Sequence, residues 1–152
     1  EEIKRKLEFM KKKIIVIISV AAILMVAAGS IYGKTSSDRK QGDPDVVGSF
    51  AMNRDENLTV VANRDEITDR EAFAKQLLQM CRDNSFYSIK FSTDQGYATS
   101  LDMNVYSWKE DIENGEPVMR VEYKPIEYGE EYDIVNNPDK FQLYVDGKEI
   151  TE

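Results

Sequence analysis

One uninterrupted apolar stretch, residues 14–32, limits what this chain can form more than any other feature. It contains no charged residue and directly follows three lysines, Lys11 to Lys13. A helix needs about 20 apolar residues to cross a hydrocarbon core of about 30 Å, so the stretch is long enough to span a membrane once. Basic residues stay on the cytoplasmic side of such a segment. The sequence therefore predicts a cytoplasmic basic flank at residues 1–13 and delivery of the rest outside.

The apolar stretch fits two kinds of export signal. As a transmembrane anchor it makes a single-pass protein of the cell membrane, with the C-terminal domain outside and Tyr32 at the interface. As a signal peptide it offers small residues for cleavage near Ala28–Ser30, which would release a secreted protein. The sequence leaves both versions open.

Charge separates the exported part from the flank. Of the chain's 20 basic residues 14 lie beyond residue 33, and of its 28 acidic residues 25 lie there, which gives that part a net charge of −11. Such a surface repels the phosphates of nucleic acid and of anionic lipid, so no nucleic-acid partner is expected. A basic protein or Ca²⁺ stays compatible with it, and acidic surface charge also keeps an exported domain soluble.

The reactive residues are few. The chain has no histidine and one cysteine, Cys81, so histidine-dependent catalysis, the usual zinc sites and an internal disulfide are excluded. Its glycines are isolated in turn-like segments and form no phosphate-binding loop. The sequence accordingly predicts no catalytic residue, no cofactor and no metal, and a protein that is not an enzyme.

The part after the apolar stretch divides into a stalk and a domain. Residues 33–47 are polar, include Gly42 and Pro44, and are predicted to be a flexible stalk. Residues 48–152 are predicted to form a small α+β domain outside the cytoplasm. Thr68 and Glu71 fit a capping box, which predicts a helix from Asp69 to about Asp83. The apolar stripe of this helix consists of Ala74, Leu77, Leu78 and Cys81.

Alternating segments predict the sheet that covers the helix. The predicted strands are 58–62, which is weak, and 86–92, 97–108, 118–123, 141–145 and 148–151. Turn sequences separate them, with Asp146-Gly147 the clearest hairpin turn. Links of hairpin length are too short for parallel crossovers. The expected fold is one amphipathic helix on an antiparallel β-meander of about four or five strands.

Four aromatic residues are the candidate binding patch. Alternation places Tyr106 and Trp108 opposite Leu101, Met103 and Val105, on the face that the helix does not cover, while Tyr128 and Tyr132 lie in the loop 126–139. Exposed aromatics with a polar rim often mark a protein or ligand contact. The alternative is that they pack under the loop or pair across strands.

Two acidic clusters, 110–116 and 127–133, keep other functions open. The loop 126–139 with its carboxylates and tyrosines could bind a small ligand or Ca²⁺, although its spacing is not that of a known calcium loop. A pair of carboxylates could also hydrolyse envelope glycans, but a domain of about 100 residues offers little room for such a cleft. Charge runs of this kind are usually solvated loops.

The organisation predicts a membrane-anchored or exported binding or accessory domain, non-enzymatic and typical of a bacterial cell surface. Its expected partner is another envelope or membrane protein. Residues 14–32 are expected to contact the membrane.

Overall fold

The structure is a computed structural model that describes residues 2, 4, 5, 41–127 and 131–151. The chain divides into two units, Glu1–Arg39 and Lys40–Glu152, and every element named below belongs to the second. Apart from three residues of the basic flank, the predicted segments 1–13 and 14–32 lie outside the described residues, as does most of the predicted stalk. Within the described ranges, no helix has both the length and the apolar character needed to cross a membrane.

The second unit is an α+β fold, as the sequence predicted, with one α-helix and one mixed sheet of six strands. In chain order the elements are β1 (Asp45–Met52), β2 (Asp55–Val61), α1 (Arg70–Asp83), β3 (Ser100–Tyr106), β4 (Met119–Pro125), β5 (Phe141–Val145) and β6 (Lys148–Ile150). The strands lie in the sheet in their chain order, β1 to β6.

The predicted antiparallel meander is wrong at one junction. β2 and β3 are parallel, with Leu58 opposite Met103 and Val60 opposite Val105, whereas the other four neighbouring pairs are antiparallel. Parallel neighbours need a crossover of a dozen residues or more. The connection from Ala62 to Thr99 is long enough and contains α1, so this is a strand–helix–strand unit inserted into a meander.

The prediction fails at the β2–β3 junction because one predicted strand, residues 86–92, does not form. Residues 86–92 alternate in sequence but are irregular in the structure. The Asp45 carboxylate accepts hydrogen bonds from the amides of Tyr87 and Ser88, and the Asn84 side chain accepts from the Phe91 amide. Because side chains occupy these donors, and because β3 already has β2 and β4 as neighbours, the segment has no place in the sheet.

A strand not foreseen in the sequence forms the opposite edge. β1 begins at Asp45, so regular structure starts within the range 33–47 assigned to the stalk and before the predicted boundary at residue 48. It pairs with β2 through a two-residue loop, in which Asn53 has a φ of 59°. Asparagine tolerates this left-handed conformation, so Asn53 is the residue from which the hairpin turn could have been predicted.

The core lies between the helix and one face of the sheet, which we call the core face. The helical stripe of Ala74, Leu77, Leu78 and Cys81 is buried there, as predicted, together with Phe73. The strands contribute alternate residues, so the residues between them lie on the other face, here the open face, and most of these are polar. The buried residues of the core face are Val46, Leu58, Val60, Leu101, Met103, Val105, Met119, Val121, Tyr123, Phe141, Leu143, Val145 and Ile150.

Both ends of α1 are capped by side chain or backbone. The N-cap is Asp69, whose carboxylate accepts from the Ala72 amide at 2.9 Å, so the predicted cap at Thr68 is wrong by one residue. The predicted terminator is confirmed, because Asn84 is left-handed and the amides of Asn84 and Ser85 return to the last carbonyls of the helix.

The Asp146-Gly147 turn also ties the helix to the sheet. Both residues have positive φ, 50° and 79°, as a tight hairpin turn requires. The Asp146 carboxylate binds the Arg70 guanidinium at the start of α1 and accepts from the Arg120 amide of β4 at 2.9 Å. The clearest turn in the sequence is thus a contact between three elements.

The cap assignment predicts a difference between two neighbouring alanine substitutions. Asp69→Ala removes the acceptor of the Ala72 amide and should lower the free energy of unfolding by about 1 kcal/mol. Thr68→Ala is the matched control and should change it by less than about 0.5 kcal/mol. Urea unfolding followed by fluorescence of Trp108, which is buried and the only tryptophan, measures both. A larger loss for Thr68→Ala would return the cap to that residue.

Candidate functional site

The open face over β3 and β4 is a ladder of paired charges. Arg120 and Asp102 form a two-pronged ion pair across these strands, with Nε to Oδ1 at 2.9 Å. Glu122 then accepts from Lys124 at 2.8 Å and lies 3.3 Å from Arg120. The hydrogen bond to Asp102 is the main reason that the pKa of Arg120 is raised. Because these charges neutralise one another, this part of the face is an ordinary solvated sheet surface.

The end of β1 differs from the rest of the open face. Phe50 and Met52 alternate onto this face and are 64 % and 63 % exposed. β1 is an edge strand. A bulge between Val46 and Gly48 interrupts its first half, but between Asp45 and Met52 it has neither the lysine nor the proline that commonly protects such an edge. This strand therefore combines exposed apolar side chains with an outer backbone edge for which the described residues provide no partner strand.

The predicted aromatic patch has a different geometry from the one expected. Trp108 is buried, and its Nε1 donates to Asp65 at 3.0 Å, so its predicted exposure is wrong. Strand β3 ends at Tyr106, and the alternation that placed Trp108 outside does not continue past that point. Tyr106 itself is half-buried on the open face.

Of the two loop tyrosines, Tyr132 belongs to the described residues and lies apart from the open face. Tyr132 is half-buried against the core, with the Lys140 ammonium 5.7 Å from its ring centre. Tyr128 lies outside the described residues. Tyr106 is also separate from Phe50, because Phe50 is level with Asp102 and four residues of β3 span about 13 Å.

The acidic clusters supply turn contacts where they are described. Asp111 accepts from the Trp108 amide at 3.0 Å, and Asp133 accepts from the amides of Val135 and Asn136. The described ranges contain no group of three His, Cys, Asp or Glu side chains arranged to hold a metal ion. These two carboxylates therefore fix the conformation of the loops that contain them.

A pocket that the sequence did not predict lies on the core-face side of the β1–β2 hairpin. Its volume is about 280 Å³, and its walls come from the hairpin, the end of α1 and the connection before β3. Its charged lining residues are Arg54, Glu56, Arg82 and Asp94, and its apolar ones include Cys81, Phe91, Ala98 and Ile134. These residues are scattered over 80 positions of the sequence, so no local motif brings them together.

Gly96 allows the Arg54 side chain to pack closely against it in the lining of this pocket. The φ of Gly96 is +100°, and a Cβ there would stand 2.8 Å from Nη1 of Arg54. That nitrogen is 3.4 Å from the Tyr97 carbonyl oxygen. The glycine is therefore needed both for its backbone conformation and for the approach of the guanidinium.

Comparisons with known proteins add no relative: no protein-family model, no curated protein and no solved structure matches this chain.

Replacement of this glycine should perturb the pocket wall. Gly96→Ala should lower the free energy of unfolding by about 1–2 kcal/mol, because alanine is strained at positive φ. Its methyl group also meets the flexible end of Arg54, which would have to shift. Gly42→Ala is the matched control, since nothing lies within 4 Å of its added Cβ. Urea unfolding compares the two variants. Equal stability of the two variants would contradict the left-handed backbone conformation of Gly96.

Acid should weaken two loop anchors. Partial burial raises the pKa of Asp45 and of Asp133, but hydrogen bonds, chiefly from Ser88 to Asp45 and from Asn136 to Asp133, outweigh it and hold both pKa values below the ordinary value of 3.8. A lowered folded-state pKa contributes stability above the unfolded-state pKa and loses it as pH falls through the folded-state value.

The free energy of unfolding should therefore fall more steeply below about pH 4 in the unmodified chain than in Asp45→Asn,Asp133→Asn. Urea unfolding at a series of pH values measures the two slopes, and the exposed residue Glu113, changed to Gln, is the control for loss of a carboxylate. Parallel slopes for the double variant and the unmodified chain would contradict the role of these hydrogen bonds.

Proposed function

We propose that this chain is a non-catalytic binding module held outside the cytoplasm, where it contacts another envelope or membrane protein. Residues 14–32 deliver the module, either as a membrane anchor or as a cleaved leader. The alternatives raised by the acidic loops, a Ca²⁺ or small-ligand site at 126–139 and glycan hydrolysis by carboxylates, remain lesser proposals.

The observation that supports a protein contact is the apolar end of β1. Phe50 and Met52 are the two most exposed large apolar side chains of the described strands, and both belong to an edge strand without lysine or proline. An extended segment of a partner can add to such an edge through backbone hydrogen bonds, with alternate side chains providing selectivity. The paired charges of β3 and β4 lie on the same face and give the rim of such a contact a polar character.

Cross-linking in the native host tests the contact. A photoreactive phenylalanine analogue at position 50 should form one discrete adduct with an envelope or membrane protein in intact cells. The same analogue in place of Glu149, exposed in the opposite edge strand β6, is the positional control and should not form that adduct. Equal adducts from both positions, or none from position 50, would refute the proposed surface.

A second variant separates packing from chance proximity. Phe50→Ser,Met52→Ser should reduce an adduct formed from an analogue at Asn57, which pairs with Phe50, by about tenfold if the two side chains bury apolar area in the contact. Thermal unfolding should change little, because both side chains are exposed. An undiminished adduct would place the contact on another surface.

Delivery is tested by mass spectrometry of the protein recovered from membrane and medium of the native host. An intact apolar segment in the membrane fraction is the result expected for an anchor, and a new amino terminus near Ala28–Ser30 in the medium is the one expected for a cleaved leader. Recovery of the protein from the cytoplasm alone would contradict the proposed location.

A further inference from the structure

The pocket beside the β1–β2 hairpin is chemically distinct from the proposed protein contact. It opens on the core-face side of the hairpin, whereas Phe50 and Met52 project from the open face. Its volume of about 280 Å³ lies just below the range of about 300–1,000 Å³ for pockets that bind drug-sized molecules. The pocket is therefore suited to a ligand smaller than most drug-sized molecules.

Arg54, in the hairpin wall of the pocket, has N–H donors that form only long contacts with the described residues. The Arg54 side chain is only 23 % exposed, yet its partners among the described residues are the Tyr97 carbonyl at 3.4 Å and the exposed Glu131 at 3.8 Å. Both separations are long for a guanidinium, which carries five N–H donors. Arg54 can thus give a two-pronged hydrogen bond to a carboxylate without losing a strong internal partner.

Glu56 adds a carboxylate to the same hairpin wall, on the apolar side of the sheet. Glu56 alternates with Leu58 and Val60, so it points to the core face, and it lines the pocket together with Cys81. Its one hydrogen bond in the described structure is from the Ser49 hydroxyl at 2.8 Å, and no described cation forms an ion pair with it. Burial first, and then the charge of Glu56, raises the pKa of the Cys81 thiol, in agreement with the position of both residues in the pocket lining.

A charge on the apolar side of a sheet costs free energy unless it is paired. Glu56 would gain an ion pair from a cationic group in the pocket, and Arg54 would gain one from an anionic group. The rest of the lining includes Phe91, Ala98 and Ile134, which we call the apolar floor. A single small molecule that satisfies all three features carries both charges and an apolar side chain.

We infer that this pocket binds a small zwitterion of the α-amino acid class. The ligand's carboxylate binds Arg54, its ammonium group binds Glu56, and its side chain packs on the apolar floor. This site goes beyond the proposed protein contact and does not depend on it.

Calorimetric titration of the full chain in detergent micelles tests the assignment. The probes are L-alanine, L-leucine and L-phenylalanine, which span the volume of the pocket, each at up to about 10 mM. At least one should bind, and its amide, which lacks the carboxylate, and its N-acetyl derivative, which lacks the ammonium group, should both bind about tenfold more weakly or worse. Absence of binding by all three, or equal binding of a derivative, would overturn the inference.

Substitutions locate the binding. Arg54→Gln and Glu56→Gln should each weaken the best probe about tenfold or more, whereas Arg120→Gln and Glu149→Gln, the same changes away from the pocket, should leave affinity within about twofold. Arg54→Lys keeps the charge but loses the two-pronged geometry and should fall between. Trp108 fluorescence verifies that each variant is folded. Unchanged affinity in folded Arg54→Gln and Glu56→Gln would refute this site.

Discussion

The fold depends on a single apolar layer between one helix and one face of the sheet. The chain has one cysteine, so no disulfide within it reinforces this layer. Each strand contributes alternate residues to the layer, and a shift of one residue would turn that strand's apolar set toward water. The register of the six strands and the apolar stripe of α1 therefore stabilise one another. Asp146 adds a polar contact at the same junction, because it binds both Arg70 of the helix and the amide of Arg120 in the sheet.

The helix α1 is too short to cover the whole sheet. Both candidate sites lie at the β1–β2 hairpin, away from the strands nearest to α1. α1 is 14 residues long, about 21 Å, and lies nearest to β4 and β5. The strands on the other side, β1 and β2, depend on the irregular connection between α1 and β3. That connection is fixed by polar groups, chiefly Asp45 and Asn84, and by a few apolar residues such as Phe86. The β1–β2 hairpin therefore keeps exposed apolar side chains on one face and a pocket on the other.

The two proposals use this hairpin in different ways. On the open face the charges are paired within the sheet, so a partner would gain from packing on Phe50 and Met52 and from backbone pairing with β1 more than from attraction of charge. On the core-face side, Arg54 and Glu56 have weak or neutral partners, so a charged ligand would gain from ion pairs. Both sites use the β1–β2 hairpin, whose first strand the sequence did not predict.

Features that rest on short-range chemistry could be predicted from the sequence. These are the apolar stripe of α1, its end at Asn84, the alternation of Leu101, Met103 and Val105, and the Asp146-Gly147 turn. Features that need groups distant in the chain depend on the tertiary structure. Asp45 takes the amides of Tyr87 and Ser88 and so prevents a strand, β3 pairs in parallel with β2 across a crossover, and Trp108 turns inward to Asp65. Alternation records which side of a strand is apolar, but it does not record which strand lies beside it or where a strand ends, because those are fixed by hydrogen-bond partners more than 40 residues away.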